Sequence, residues 1–163
     1  LLRGIVKPGV SQAQAMDWVV GALRDCCAGA RPHGVRIALE PINRYETRFC
    51  HNLADGVAVC ERMGSERLRL VADFFHLNIE EVDPAASIEA AGDYIAHVQL
   101  GDSNRELPGL GHTDFVSGFG ALQKIGYEGH MALECRLPRD PERELAGCAA
   151  FLQECIAAGG RGQ

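Results

Sequence analysis

Short apolar runs recur along the chain about every 30 residues, and each ends in a polar residue: VRIALE (35–40), LRLVAD (68–73), IAHVQ (95–99) and HMALE (130–134). Their last residues, Glu40, Asp73, Gln99 and Glu134, are spaced by 33, 26 and 35 positions, which suits one strand plus one returning helix per unit. If the strands lie side by side and parallel, their carboxyl ends meet and the four oxygen-bearing side chains converge. Such a cluster is a metal site or an acid/base site.

The segments between the runs read as helices. Ser11 is a good N-cap for a helix over about 12–30, with Trp18, Val19, Leu23 and Cys26 on one stripe. Asn52 caps a helix over about 53–63 that stops at Gly64, and Asp83-Pro84 opens another over about 84–92. Two more are expected over about 113–125 and 141–157, whereas GDSNRELPGLGH (101–112), with three Gly and one Pro, should be irregular. The order is one helix followed by four βα units.

Alternation within the strands separates two faces. Val35, Ile37 and Leu39, then Leu68, Leu70 and Ala72, then Met131 and Leu133 form a purely apolar face that should lie under the helices. The opposite face ends in the acid, with Ala38, Val71 or Ala132 in the middle and Arg36, Arg69 or His130 at the bottom. An open doubly wound sheet buries both faces in apolar packing, while the inside of a barrel can end in polar layers. The pattern therefore predicts an α/β fold with parallel strands and barrel-like inward faces.

Composition narrows the chemistry. The apolar fraction of 47% and charged fraction of 23% are those of an ordinary globular protein, and 163 residues suffice for a single domain. A net charge of −6 without a Lys/Arg block gives no reason to expect nucleic acid, and no apolar run is long enough for a membrane span. A cytoplasmic address and a small neutral substrate are the expectation. Seven cysteines, an odd number with no C-x-x-C pair, read as free thiols. His97 reads as a packing or supporting residue behind Gln99, and His112 could pair with Asp114 at a helix start.

ALEPINRYET (38–47), VADFFHLNIEE (71–81), HVQLGDSNRELPGLGHTDF (97–115) and MALE (131–134) closely resemble the sugar isomerase/epimerase family with a xylose isomerase-like TIM barrel, which includes ketose 3-epimerases and hydroxypyruvate isomerases. The resemblance runs over about residues 10–158 and matches strands 5–8 of a (β/α)₈ barrel with their helices. It implies that residues 1–163 are a single domain, the C-terminal half of such a barrel, and that the N-terminal half is absent from a chain that starts at Leu1. Two strand edges would then be unpaired, to be closed by the other half or by a second copy in a homo-oligomer.

Carried over position by position, the resemblance implies a divalent metal held by Glu40, Asp73, Gln99 and Glu134. Ketose 3-epimerases usually have His at the position of Gln99, whereas hydroxypyruvate isomerases have Gln. The resulting all-oxygen shell favours Mn²⁺ or Mg²⁺, with Co²⁺ as a possible substitute. Glu46, His76 and Arg105 match the positions that contact substrate oxygens, a trio typical of the ketose epimerases.

The implied reaction removes a proton from carbon beside a carbonyl, with the metal as Lewis acid for the enediolate and Glu40 and Glu134 as the acid/base pair. The expected function is thus a ketose 3-epimerase-like isomerase acting on a small sugar or hydroxy-ketone. Alternatives are a hydroxypyruvate isomerase-like or inosose dehydratase-like enzyme, an endonuclease IV-like phosphodiesterase, and an inactive half-barrel.

Overall fold

The computed structural model describes residues 6–136 and 138–160. The sequence has the last helix dissolving into GGRGQ (159–163); the helix instead runs on to Gly159 with Gly160 as its cap, and residues 161–163 lie outside the described residues.

Helix α1 spans Gln12–Ala30 and is capped as expected, the Ser11 hydroxyl accepting the Gln14 N–H at 3.1 Å. Its buried stripe is Val20, Leu23, Cys27 and Ala30. Trp18 is 59% exposed and Cys26 is also exposed, so the stripe is rotated from the one expected, toward the residues that face the core. Strand β1 is the short Ile37–Leu39, and α2 runs over Leu53–Met63 between its cap Asn52 and Gly64.

Strand β2 occupies Leu68–Asp73 and passes without a loop into α3, Phe74–Glu80. The sequence pattern hides this helix because strand and helix together make one apolar stretch. Asp73 marks the join: its carboxylate caps α3 by accepting the Phe75 N–H at 3.0 Å. Helix α4 covers Pro84–Ala91, β3 Ile95–Leu100, α5 Phe115–Lys124, β4 Met131–Leu133 and α6 Pro141–Gly159.

The four strands are parallel in the order β1-β2-β3-β4, as βα units connected in sequence require. Register places Asp73 opposite Gln99 and Gln99 opposite Ala132, so three strand ends are level. The β2–β3 register shifts between Leu70 and Val71, opposite Ile95 and His97 respectively, which leaves Ala96 as one extra residue on β3. That irregularity brings His97 and Gln99 onto the face of Val71 and Asp73.

Leu68, Leu70, Ala72 and Val98 are fully buried beneath the helices. Phe74 stacks on Phe115 at 5.3 Å between centroids and meets Phe119 at 5.7 Å, while Phe151 of α6 packs edge-on to Phe115. The apolar face is not covered throughout. Val35, Met131 and Leu133 are each at least 41% exposed, the last two because α6 packs on α5 rather than over β4. On the opposite face Arg36, Ala38, His130 and Ala132 are exposed, leaving the concave side open.

Candidate functional site

The C-terminal ends of the strands bring together most of the residues singled out from the sequence. Asp73, 1% exposed, keeps Oδ1 for the backbone of α3 and turns Oδ2 toward its neighbours on the concave face. Beside it, the Oε1 of Gln99 is buried and has no hydrogen-bond partner among the described residues. Glu134 follows β4, its N–H donating to the Leu100 carbonyl at 3.0 Å. That close approach needs Gly101, since a Cβ there would lie 2.7 Å from the Glu134 carbonyl oxygen. Glu40 follows β1 at the other edge of the sheet, its Oε1 3.5 Å from His76 Nε2.

His76 sits one helical turn after Asp73, buried at 3% exposure, with Nε2 3.6 Å from Asp73 Oδ2. Its other ring nitrogen faces Asn43, whose side-chain Nδ2 lies 2.8 Å and backbone N 3.3 Å from Nδ1. The same Nδ2 donates to Glu46 Oε1 at 3.0 Å, so Asn43 connects two residues of the expected substrate trio. Asn43 did not stand out in the sequence.

Arg105, the third of that trio, bridges two of the expected metal ligands. Its Nη1 donates to Asp73 Oδ2 at 2.6 Å and its Nη2 to Glu134 Oε1 at 2.7 Å, with the guanidinium carbon 4.5 Å above the centre of the Phe75 ring. Such a bidentate, stacked cation partly neutralises the acids around it. Arg105 takes φ of 64°, in the left-handed region that non-glycine residues rarely occupy.

Asp102 shapes the loop that presents Arg105, and sequence reasoning missed it too. Its carboxylate accepts backbone N–H groups of Ser103 (2.7 Å), Gly109 (2.8 Å) and Thr113 (3.0 Å), with Gly111 contributing a further bond. Its backbone carbonyl accepts the Arg105 N–H at 2.8 Å. A Cβ on Gly111 would fall 2.3 Å from Asp102 Oδ1, so glycine lets the loop close tightly on the carboxylate at this point.

The electrostatics of the two aspartates differ. Burial pushes the Asp73 carboxyl up to about 6 despite the opposing pull of Arg105 and the Phe75 N–H. Burial also acts to raise Asp102, but its backbone donors outweigh it and hold the carboxyl below the ordinary range.

These donors fit a hard divalent cation. Ligand atoms of Glu40, Asp73 and His76 lie within 4.8 Å of one another, and the buried Gln99 oxygen lacks the electropositive partner that a cation would supply. Glu134 is drawn to Arg105 instead. The set therefore overlaps the four ligands expected from sequence without coinciding with it.

Other expectations resolve simply. Asp114 caps α5 through the Ser117 N–H at 3.1 Å, and His112 does not pair with it. All seven cysteines are free, and burial drives Cys50 to about 12 and Cys60 to about 11, far from a reactive thiolate. Among the described residues, no helix is long and apolar enough to cross a membrane.

A family model described as xylose isomerase-like TIM barrel matches residues 1–155. The chain is 35% identical over 127 residues to the L-ribulose 3-epimerase of Methylomonas sp. (strain DH-1), covering 78% of this chain and 44% of that protein. It is 32% identical to the 3-dehydro-D-guloside 4-epimerase of Escherichia coli (strain K12), over 75% of this chain and 47% of that one. The crystal structure of D-psicose 3-epimerase with D-tagatose from Clostridium cellulolyticum H10 superposes with a TM-score of 0.83 at 25% identity, covering 93% of this chain and 60% of that one. The chain thus spans about half the length of the curated relatives it matches.

Proposed function

The chain belongs to the xylose isomerase-like TIM barrel family, and from that premise we propose that it is the C-terminal half-barrel domain of a divalent-metal-dependent sugar epimerase acting on small ketoses. Glu40, Asp73, Gln99 and Glu134 would hold the ion, with Mn²⁺ or Mg²⁺ preferred by an oxygen-only shell. The observation that carries this reading is the buried, unpartnered Gln99 Oε1 lying level with Asp73 between two strands that end in glutamates.

When bound, the cation would supply Lewis-acid stabilisation of the negative charge that develops on substrate oxygens. The chain's own residues do the rest. Glu40 and Glu134 leave opposite edges of the sheet, so they flank whatever lies over Asp73 and Gln99. One carboxylate would take the proton from carbon beside the carbonyl, and the other would return a proton to the opposite face. His76 and Glu46, tied together through Asn43, would orient substrate hydroxyl and carbonyl oxygens. Arg105 would leave its two carboxylates for the substrate once another cation neutralises them.

The relatives are named as a 3-epimerase and a 4-epimerase of keto-sugars, and a stereocentre beside a carbonyl can be inverted by loss and return of its proton. Gln99 also favours a second reading, isomerisation of a short hydroxy-keto acid, because it departs from the histidine usual in ketose 3-epimerases. Closure of the open edges of β1 and β4, by the other half of the barrel or by a second copy, and a cytoplasmic location belong to the same proposal.

The test is NMR of a ketose incubated in D₂O with the protein and Mn²⁺. Deuterium should enter at the carbon beside the carbonyl together with epimer formation, and a chelator should stop both. Absence of exchange on ketoses and hydroxy-keto acids alike, in protein shown to bind the ion, would overturn the reading.

A further inference from the structure

Asn43 is 2% exposed, and the direction of its amide is settled by its neighbours. The Tyr45 N–H donates to Oδ1 at 3.0 Å, and a flipped amide would set donor against donor there. Nδ2 must therefore face inward, where its two hydrogens meet two acceptors, Glu46 Oε1 at 3.0 Å and His76 Nδ1 at 2.8 Å. The backbone N–H of Asn43 also points at His76 Nδ1, 3.3 Å away.

Two N–H groups converging on one ring nitrogen require it to hold a lone pair. In a neutral imidazole the proton then resides on the other nitrogen. That nitrogen, Nε2, faces Glu40 Oε1 at 3.5 Å and Asp73 Oδ2 at 3.6 Å, both acceptors. The donors behind the ring and the acceptors in front of it demand the same tautomer.

We propose that Asn43 locks His76 in the Nε2–H tautomer and thereby keeps the imidazole out of the metal's ligand set. Only a lone pair can bind a metal, and the nitrogen with the lone pair is turned away from the carboxylates. His76 presents an N–H to the site, although it lies as close to Glu40 and Asp73 as a ligand would. Asn43 is a positioning residue, and what it sets is the hardness of the shell. With the imidazole excluded, the donors are oxygens and borderline Zn²⁺ loses its advantage over Mn²⁺. The consequence for metal choice rests on the proposed cation site, but the tautomer does not.

The experiment is ¹⁵N-histidine NMR of the intact protein at alkaline pH, without sugar, with His76→Gln identifying the ring's signals. The metal-free protein should show Nε2 protonated and Nδ1 bare, and both should keep those shifts on titration with Zn²⁺ alone. Asn43→Asp replaces the closer donor to Nδ1, at 2.8 Å, with a charged acceptor that outweighs the remaining backbone N–H at 3.3 Å, so it should move the proton to Nδ1 and free Nε2. Calorimetry should then show Zn²⁺ gaining about tenfold or more over Mn²⁺. A bare Nε2 in the unsubstituted protein, or a Zn²⁺-induced shift of Nε2 there, overturns the proposal even if Asn43→Asp does not fold. A folded Asn43→Asp with the tautomer unchanged overturns it as well. A protein with the expected tautomer but no ketose turnover would sink the epimerase reading and leave this one standing.

Discussion

Asp73 and Asp102 are each 1% exposed and each adjoin Arg105, yet one carboxyl is pushed up to about 6 while the other is held below its ordinary range. The difference lies in how heavily burial weighs on each carboxyl, more on Asp73 than on Asp102, and in who replaces water. Asp102 is surrounded by backbone N–H groups of its own loop, fixed donors that substitute for hydration. Asp73 has one backbone donor, an arginine side chain and other acids nearby. A carboxylate that builds a loop is satisfied by its backbone, whereas Asp73 shares its one side-chain cation, Arg105, with Glu134.

The largest effect that would break this contrast is on metal binding. Asp73→Asn should lower divalent-ion affinity by about 100-fold or more in calorimetry, since it removes the central charged donor. Asp102→Asn should leave that affinity within a few-fold. Equal losses in both variants would show that the two aspartates do not divide the labour as described.

Stability should respond in the opposite sense. Asp102→Ala strips several buried backbone N–H groups of their acceptor and should cost about 3 kcal/mol in urea unfolding. Asp73→Asn should cost much less in the metal-free protein, because it also removes a poorly solvated charge.

The pH dependence sharpens the comparison further. With Asp73 raised, the unfolded chain releases this proton near pH 4 while the folded protein keeps it to about 6. Metal-free stability therefore falls by up to about 3 kcal/mol as pH rises through that window, and the fall should vanish in Asp73→Asn. Asp102 runs the other way, its stabilisation being complete above about pH 4 and lost as pH drops toward the depressed folded value. Urea unfolding of the substituted and unsubstituted proteins between pH 3 and 7 checks both slopes. The smallest effect should come from Gly111→Ala, where a methyl crowding Asp102 costs about 1–2 kcal/mol and barely alters metal binding.

Much of the frame is legible without coordinates. Ser11, Asn52 and Asp83 cap helices where their residue types and following patterns predict, and β2 matches its apolar run residue for residue. Legibility fails where one residue serves two elements, as at Asp73, where strand and helix merge into one apolar stretch. It fails again at the sheet edges, because the alternation of β4 specifies an apolar face but not that α6 packs elsewhere, leaving Met131 and Leu133 exposed.

In the site, Glu40, Asp73, Gln99 and Glu134 were recognisable because their spacing repeats with the βα unit, a local property of the chain. Asn43 and Asp102 carry no such period. Their partners are His76, 33 positions away, and the backbone of a glycine-rich loop, reachable only after the strands align. An Asp before a stretch containing Gly109 and Gly111 was the available signal for Asp102, since a buried carboxylate needs backbone close around it.

The sequence by itself determined the order of helices and strands, the two faces of the sheet and the rise of acids at one end, because hydrophobic period and capping act over a few residues. Only the tertiary structure decided which nitrogen of His76 faces the acids, that Arg105 lies between Asp73 and Glu134, and which of two buried aspartates is the less fully supplied with backbone donors. Those outcomes depend on directional bonds of about 3 Å between residues some 30 positions apart. No local pattern encodes such geometry, and the packed sheet does.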